Sequence, residues 1–172
     1  MVKFFSLIGF LLIYLPVYSQ KASYYKDAAT DFHTFSYFYL LNCPLDAHEL
    51  TDPFLDKKSL NNNEINYFII YNEMSLKNLT LIDGEGSTGT LLINLYEGSS
   101  FNDQVTTPSG YKKKKLKGKN LVIDIQNGAN KTLVWRGWID LAKIKATDAY
   151  ALYQKAIYNI LQNFTIEPTI IE

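Results

Sequence analysis

The sequence predicts a single two-layer α+β domain: a mostly antiparallel sheet of about four strands with two packed helices, in the order β-α-β-β-β-α. Three observations predict it. Residues 120–141 alternate apolar and polar on either side of a turn, the signature of a hairpin. Two segments, 61–77 and 147–164, repeat apolar residues at helical spacing. A sheet and an amphipathic helix each carry an apolar face, and the simplest cover for one is the other.

Taken from the N-terminus, Met1-Val2-Lys3 supplies one positive charge, and Phe4 to Leu15 is almost wholly apolar. Pro16 ends the stretch, and Val17-Tyr18-Ser19 offers tolerated residues at a cleavage site. This is the layout of a secretory signal peptide. The competing reading is a membrane anchor, which needs about 20 apolar residues, more than the run contains. The expected organisation is therefore a signal at 1–19 and one domain at 20–172, with a periplasmic or secreted location.

Residues 31–40 are aromatic, β-prone and free of Gly and Pro, and predict the first strand. Asn42-Cys43-Pro44 breaks it. Asp52-Pro53 suits the cap and first position of a short turn. Asn61, with Glu64 in capping-box spacing, starts a helix that runs to about Lys77 through Ile65, Phe68, Ile69 and Leu76. Thr90 to Tyr96 predicts a strand, and 99–118 a long polar loop. Leu121, Ile123 and Ile125 mark one face of the next strand; Asn127-Gly128-Ala129-Asn130 turns the chain, and 132–141 returns. Thr147 is the expected N-cap of the last helix, which reaches Phe164 before Pro168.

Composition narrows the function. Seventeen basic residues balance seventeen acidic ones, which argues against a dedicated nucleic-acid binder, since such proteins bind mainly by neutralising phosphates. Cys43 is the only cysteine, which rules out an intramolecular disulfide. It lies too far from the apolar stretch to accept lipid, and reads as a small buried hydrophobe rather than a reactive thiol. Gly84-Glu85-Gly86-Ser87-Thr88-Gly89 matches the dinucleotide string, but a strand rather than a helix follows, so a plain loop is expected and no cofactor is implied.

Cys43, Asp46, His48, Glu49 and Asp52 crowd potential ligands into ten residues, yet none of the usual zinc spacings occurs, and no metal is expected. His33 and His48 lack an identifiable nucleophile or orienting acid, so no catalytic residue is assigned. Lys112, Lys113, Lys114 and Lys115, with Lys117 and Lys119, are the strongest charge feature. They suit either a weak contact with an anionic membrane surface or a solvated loop that guards an edge strand.

Val134-Trp135-Arg136-Gly137-Trp138, followed by the final helix, Phe164 and Pro168, resembles the ending of the bacterial envelope family known as domain of unknown function 4136. Thr30 to Tyr37 is similar to that family's opening strand. The chain departs from the family in lacking the lipid-acceptor cysteine, in carrying Lys77-Asn78 where a glycine usually follows the first helix, and in its lysine run. The resemblance implies an envelope location and a compact α+β fold, and no established reaction. On a strand, Trp135 and Gly137 would face the helices, with Gly137 leaving room for a close neighbour. Arg136 and Trp138 would share the other face, where they could bind a partner or simply cover the sheet.

The resulting expectation is an exported bacterial envelope protein acting as a non-catalytic binding or assembly domain on an unknown envelope protein or ligand. The alternative is a periplasmic hydrolase or small-ligand enzyme built on carboxylates in a cleft.

Overall fold

A computed structural model of the chain describes residues 21–57, 59–86, 88–101 and 114–166. The segment 1–19 expected to be a signal, Lys112, Lys113 and Pro168 lie outside the described residues. The strands are β1 (Ser23–Lys26), β2 (Tyr37–Leu40), β3 (Thr80–Leu81), β4 (Thr90–Phe101), β5 (Lys114–Asn127) and β6 (Leu133–Asp140). The helices are α1 (Ala47–Thr51), α2 (Asn62–Ser75) and α3 (Ala149–Leu161). They make one mixed sheet in the order β1-β6-β5-β4-β2-β3. The first four strands of that order pair antiparallel, and β2 pairs parallel with both β4 and β3.

This corrects the expected sheet of about four mostly antiparallel strands with two helices. Three local causes account for the difference. Between 31 and 40 only the second half is a strand. The Asp31 carboxylate accepts the His33 backbone N–H and winds Phe32–Thr34 into a 3-10 turn, a competition that short polar side chains commonly win against the β-ladder. The second cause is connection length. Residues 41–79 hold two helices, enough chain for the crossover that parallel neighbours require, so β2 and β3 run side by side in the same direction. The third is brevity: β1 has four residues and β3 two, too few for a period-2 pattern to stand out.

The caps follow from short polar side chains. Asn61 accepts the Asn63 and Glu64 N–H groups while Glu64 reaches back to the Asn61 N–H, closing the expected capping box. A second box, Asp46 with Glu49, starts α1. Asp52 caps the end of α1 and accepts the Phe54 N–H to form the turn expected there. Asn78 takes φ +62° just past α2, the left-handed conformation for which a glycine is usual and which asparagine tolerates best among the others. The α3 cap is Asp148 rather than Thr147: its carboxylate accepts the Ala151 N–H, and the Thr147 hydroxyl donates to it. The helix ends at Leu161, so Phe164 lies beyond it.

α2 and α3 cover one face of the sheet. Phe38, Leu91, Ile93, Leu121, Ile123, Ile125, Trp135 and Ile139 meet Ile70, Met74, Ile157, Ile160 and Leu161 in one core. Phe164 sits between Phe32 and Trp135 at ring separations of 5.6 and 5.4 Å, edge-on to both. Each such side chain contributes roughly 1.5–3 kcal/mol when fully buried. β4 and β5 are longer than expected and enter both ends of the segment 99–118 read as a loop, with a bulge between Gly98 and Ser100. Polar residues suffice there, because an antiparallel pair satisfies its own backbone.

Candidate functional site

The other face of the sheet carries none of the described helices. Its composition follows from alternation: every residue whose neighbour in sequence points to the core points here. Three rows cross it. Tyr39 lies beside Leu92, which lies beside Gln126. Asn94, Asp124, Arg136 and Tyr25 form the central row, on four successive strands. Tyr96, Val122, Trp138 and Ser23 form the third. Aromatic rings thus flank a polar band.

In that band Asp124 is 6 % exposed and Arg136 5 %. The Arg136 Nε donates to Asp124 Oδ1 at 2.5 Å and a terminal guanidinium nitrogen donates to Oδ2 at 2.6 Å. This is the two-point geometry in which guanidinium and carboxylate match best. The Tyr96 hydroxyl also donates to Asp124 Oδ2, at 3.3 Å. Burial pushes the Tyr96 phenol up to about 12; the negative Asp124 and the hydrogen bond to it add to the effect, and Arg136 opposes it. Val122 is buried here too, and Trp138 is half-buried.

Arg136 and Trp138 therefore share this face as alternation predicts, but the Arg136 head is committed to Asp124 and cannot serve as an open cation. Trp135 and Gly137 face the helices. A Cβ on Gly137 would lie 2.3 Å from the Trp135 ring and 2.4 Å from Ile160 Cγ2. Asp124 and Tyr96 went unnoticed in the sequence. The signal was present: both sit on the strand positions between the apolar ones.

The other candidates are dispersed. Lys114 and Lys115 belong to β5 rather than to a loop, and pair with Phe101 and Ser100. Lys119 and the Tyr153 hydroxyl both bind the Glu97 carboxylate. Burial raises the Glu97 pKa, but those two hydrogen bonds outweigh it and leave the carboxyl below its ordinary range. Cys43 lines a cleft of about 310 Å³ with Leu50, Leu81 and Asp83. Burial pushes its thiol up, and the negative Glu49 and Glu64 push the same way, so it stays protonated at neutral pH. Asp46 and Glu49, read as potential metal ligands, are occupied in the α1 capping box. Among the described residues no three His, Cys, Asp or Glu side chains converge as a metal site. Gly84, Gly86 and Gly89 all take positive φ, and Thr90 begins a strand where a dinucleotide site needs a helix.

The class defined by this geometry is, among the described residues, a mixed six-stranded α+β sheet with α2 and α3 on one face. No protein-family model matches the sequence. No curated protein matches it. Among solved structures, the chain is similar to a DUF4136 family protein from Bacteroides thetaiotaomicron, with a TM-score of 0.56 and 13 % identity over 85 % of this chain and 97 % of that one. It is also similar to a chain of the PelC dodecamer from Paraburkholderia phytofirmans, with a TM-score of 0.44 and 7 % identity over 86 % of this chain and 99 % of that one. At 13 % identity the first likeness speaks for the fold alone. The fold is that of a DUF4136 family protein, the same family that the Trp-Arg-Gly-Trp ending resembles.

Proposed function

We propose that this chain is an exported bacterial envelope protein that acts by non-catalytic binding or assembly through the helix-free face of its sheet. One observation carries the reading: aromatic side chains from four strands frame a buried, internally neutralised ion pair on the face that the described helices leave uncovered. Such a surface offers ring area without a net charge, which is how protein contact surfaces are commonly built. The apolar stretch and cleavage-like residues at 1–19 support export. The carboxylate-enzyme alternative would draw on Asp124 and Glu97, and both are already held by cations and tyrosines.

The test uses the full chain in a bacterial host, with a photo-crosslinking residue at Tyr37, which is 46 % exposed on this face. A control position is Tyr158 on the opposite side of the molecule. The reading expects a chain beginning at Gln20 outside the cytoplasm, with crosslinks from position 37 and not from 158. An uncleaved cytoplasmic chain, or equal crosslinking from both positions, would overturn it.

A further inference from the structure

The hairpin of β4 and β5 outruns the rest of the sheet. β6 pairs with β5 no further than Asn120, and β2 pairs with β4 no further than Ile93. Past Gly98 and Asn120 the two strands continue as a ribbon, with Ser100 opposite Lys115 and Phe101 opposite Lys114, and no third described strand beside them. At about 3.3 Å per residue, the steps from Gly98 to Phe101 carry the ribbon roughly 10 Å clear of the sheet. Its base is a built feature. Between the Gly98–Asn120 and Ser100–Lys115 pairs β4 uses one residue where β5 uses four, which makes a large bulge at 116–119. There Gly118 takes φ +78°, its carbonyl accepts the Asn120 side-chain amide at 3.2 Å, and a Cβ on it would stand 3.1 Å from Asp140 Oδ1. Such bulges re-aim the strand that carries them.

What the ribbon carries is charge. On β5, Lys114, Lys115, Lys117 and Lys119 fall within six residues, directly after Lys112 and Lys113 in the sequence. Glu97 at the base binds Lys119, and Asp140 faces Lys143 at 3.6 Å. Between Gly98 and Asn120 the sequence holds six lysines and one acid, Asp103, while the remainder holds eleven basic residues and sixteen acidic ones. A chain balanced overall is thus strongly polarised, positive on the ribbon and negative elsewhere. An anionic surface attracts one end and repels the other, so contact is made ribbon-first. A nucleic-acid binder neutralises many phosphates along a polymer, for which one narrow ribbon on a negative body is poorly suited. Phe101 stands opposite Lys114, and Tyr111 directly precedes Lys112. Aromatic rings beside lysines suit the layer between lipid headgroups and acyl chains. We propose that this ribbon, through Lys114, Lys115 and Lys117, docks the chain on a bilayer that bears anionic phospholipid headgroups.

The ribbon is separate from the sheet face above, and the two proposals fail independently. The test is flotation of the full chain with vesicles of phosphatidylcholine alone and of phosphatidylcholine with one-quarter phosphatidylglycerol. The difference between the two is the readout, because the apolar stretch 4–15 can enter either kind. The wild type should bind the anionic vesicles far more tightly, and salt should weaken that preference. The triple variant Lys114→Gln, Lys115→Gln, Lys117→Gln should lose about a hundredfold in affinity for them. A control with the same charge change, Lys57→Gln, Lys145→Gln, Lys155→Gln, should keep most of it. Should the triple variant misfold, Lys114→Gln with Lys115→Gln alone should still weaken binding about tenfold or more. Equal binding to both kinds of vesicle, or equal losses in the ribbon and control variants, would overturn the proposal. So would displacement by millimolar glycerol phosphate, which would assign the lysines to free phosphate, or binding to duplex DNA as tight as to the anionic vesicles.

Discussion

Asp124 on β5 and Arg136 on β6 stand directly opposite each other and close a two-point ion pair more than nine-tenths out of solvent. Removing one partner strands the other charge in a poorly hydrated place, so Arg136→Leu and Asp124→Leu should each cost about 3–5 kcal/mol. The double variant should cost clearly less than the two singles added together, because it leaves no unpaired charge. Urea denaturation of the four proteins measures this directly. Additive losses would show that the pair is not coupled as its geometry requires.

Gly137 is a packing requirement. Its missing Cβ makes room for the Trp135 ring and Ile160 Cγ2, both within 2.4 Å of where that atom would stand. Gly137→Ala should destabilise by roughly 1–3 kcal/mol through overpacking, and Ile160→Ala should cost less in that background than in the wild type. Thermal melts of the singles and the double would show the coupling. A Gly137→Ala protein as stable as the wild type would mean that the core yields more readily than close packing allows.

The Glu97 carboxyl is held below its ordinary 4.5 by Lys119 and Tyr153, against the opposing effect of burial. A depressed folded-state pKa contributes stability above the unfolded value and loses it as the pH falls through the folded one. Glu97→Gln should therefore be less stable than the wild type at neutral pH, and the gap should close as the pH drops below about 4.5. A gap that widens toward acid would reverse the sign and refute the assignment.

Tyr96 is displaced in the other direction, to about 12, chiefly by burial and then by its place against Asp124. A raised folded-state pKa means that stability is intact below the ordinary phenol value and declines as the pH rises toward the folded one. In an alkaline titration followed by tyrosinate absorbance Tyr96 should belong to the latest component, with Tyr67 and Tyr153 also displaced upward, and Tyr96→Phe should remove one tyrosine's amplitude from it. Arg136→Leu should delay it further, since Arg136 acts to lower the value.

Much of the fold was legible in the sequence, and the exceptions have identifiable causes. The alternation at Leu121, Ile123 and Ile125, the turn at 127–130 and the Asn61–Glu64 box each state their structure locally. The Asp46–Glu49 box is the same device, yet clustered acids beside Cys43 and His48 also spell a ligand set, and spacing alone does not choose between them. The Asp124–Arg136 pair was hidden by register. A shift between Ile125 and Gln126 moves the pairing by one residue, and counting outward from the turn without it sets Asp124 against Trp135.

The placement of β1 and β2 has a consequence for assembly. They are neighbours in sequence, but β1 seals the β6 edge while β2 and β3 seal the β4 edge, on opposite sides of the sheet. One N-terminal stretch of chain therefore adds a strand to each side of the sheet, covering the long strands β6 and β4. Clipping it away, by proteolysis or by a late start of translation, would bare two dissimilar edges at once. Two unlike edges on one molecule can each accept a strand from the next, and such head-to-tail pairing does not close on itself. Loss of the chain through Leu40 would thus replace a short edge strand with the long strand β6 on one side and uncover β4 on the other, turning the sheet into the repeating unit of a fibre.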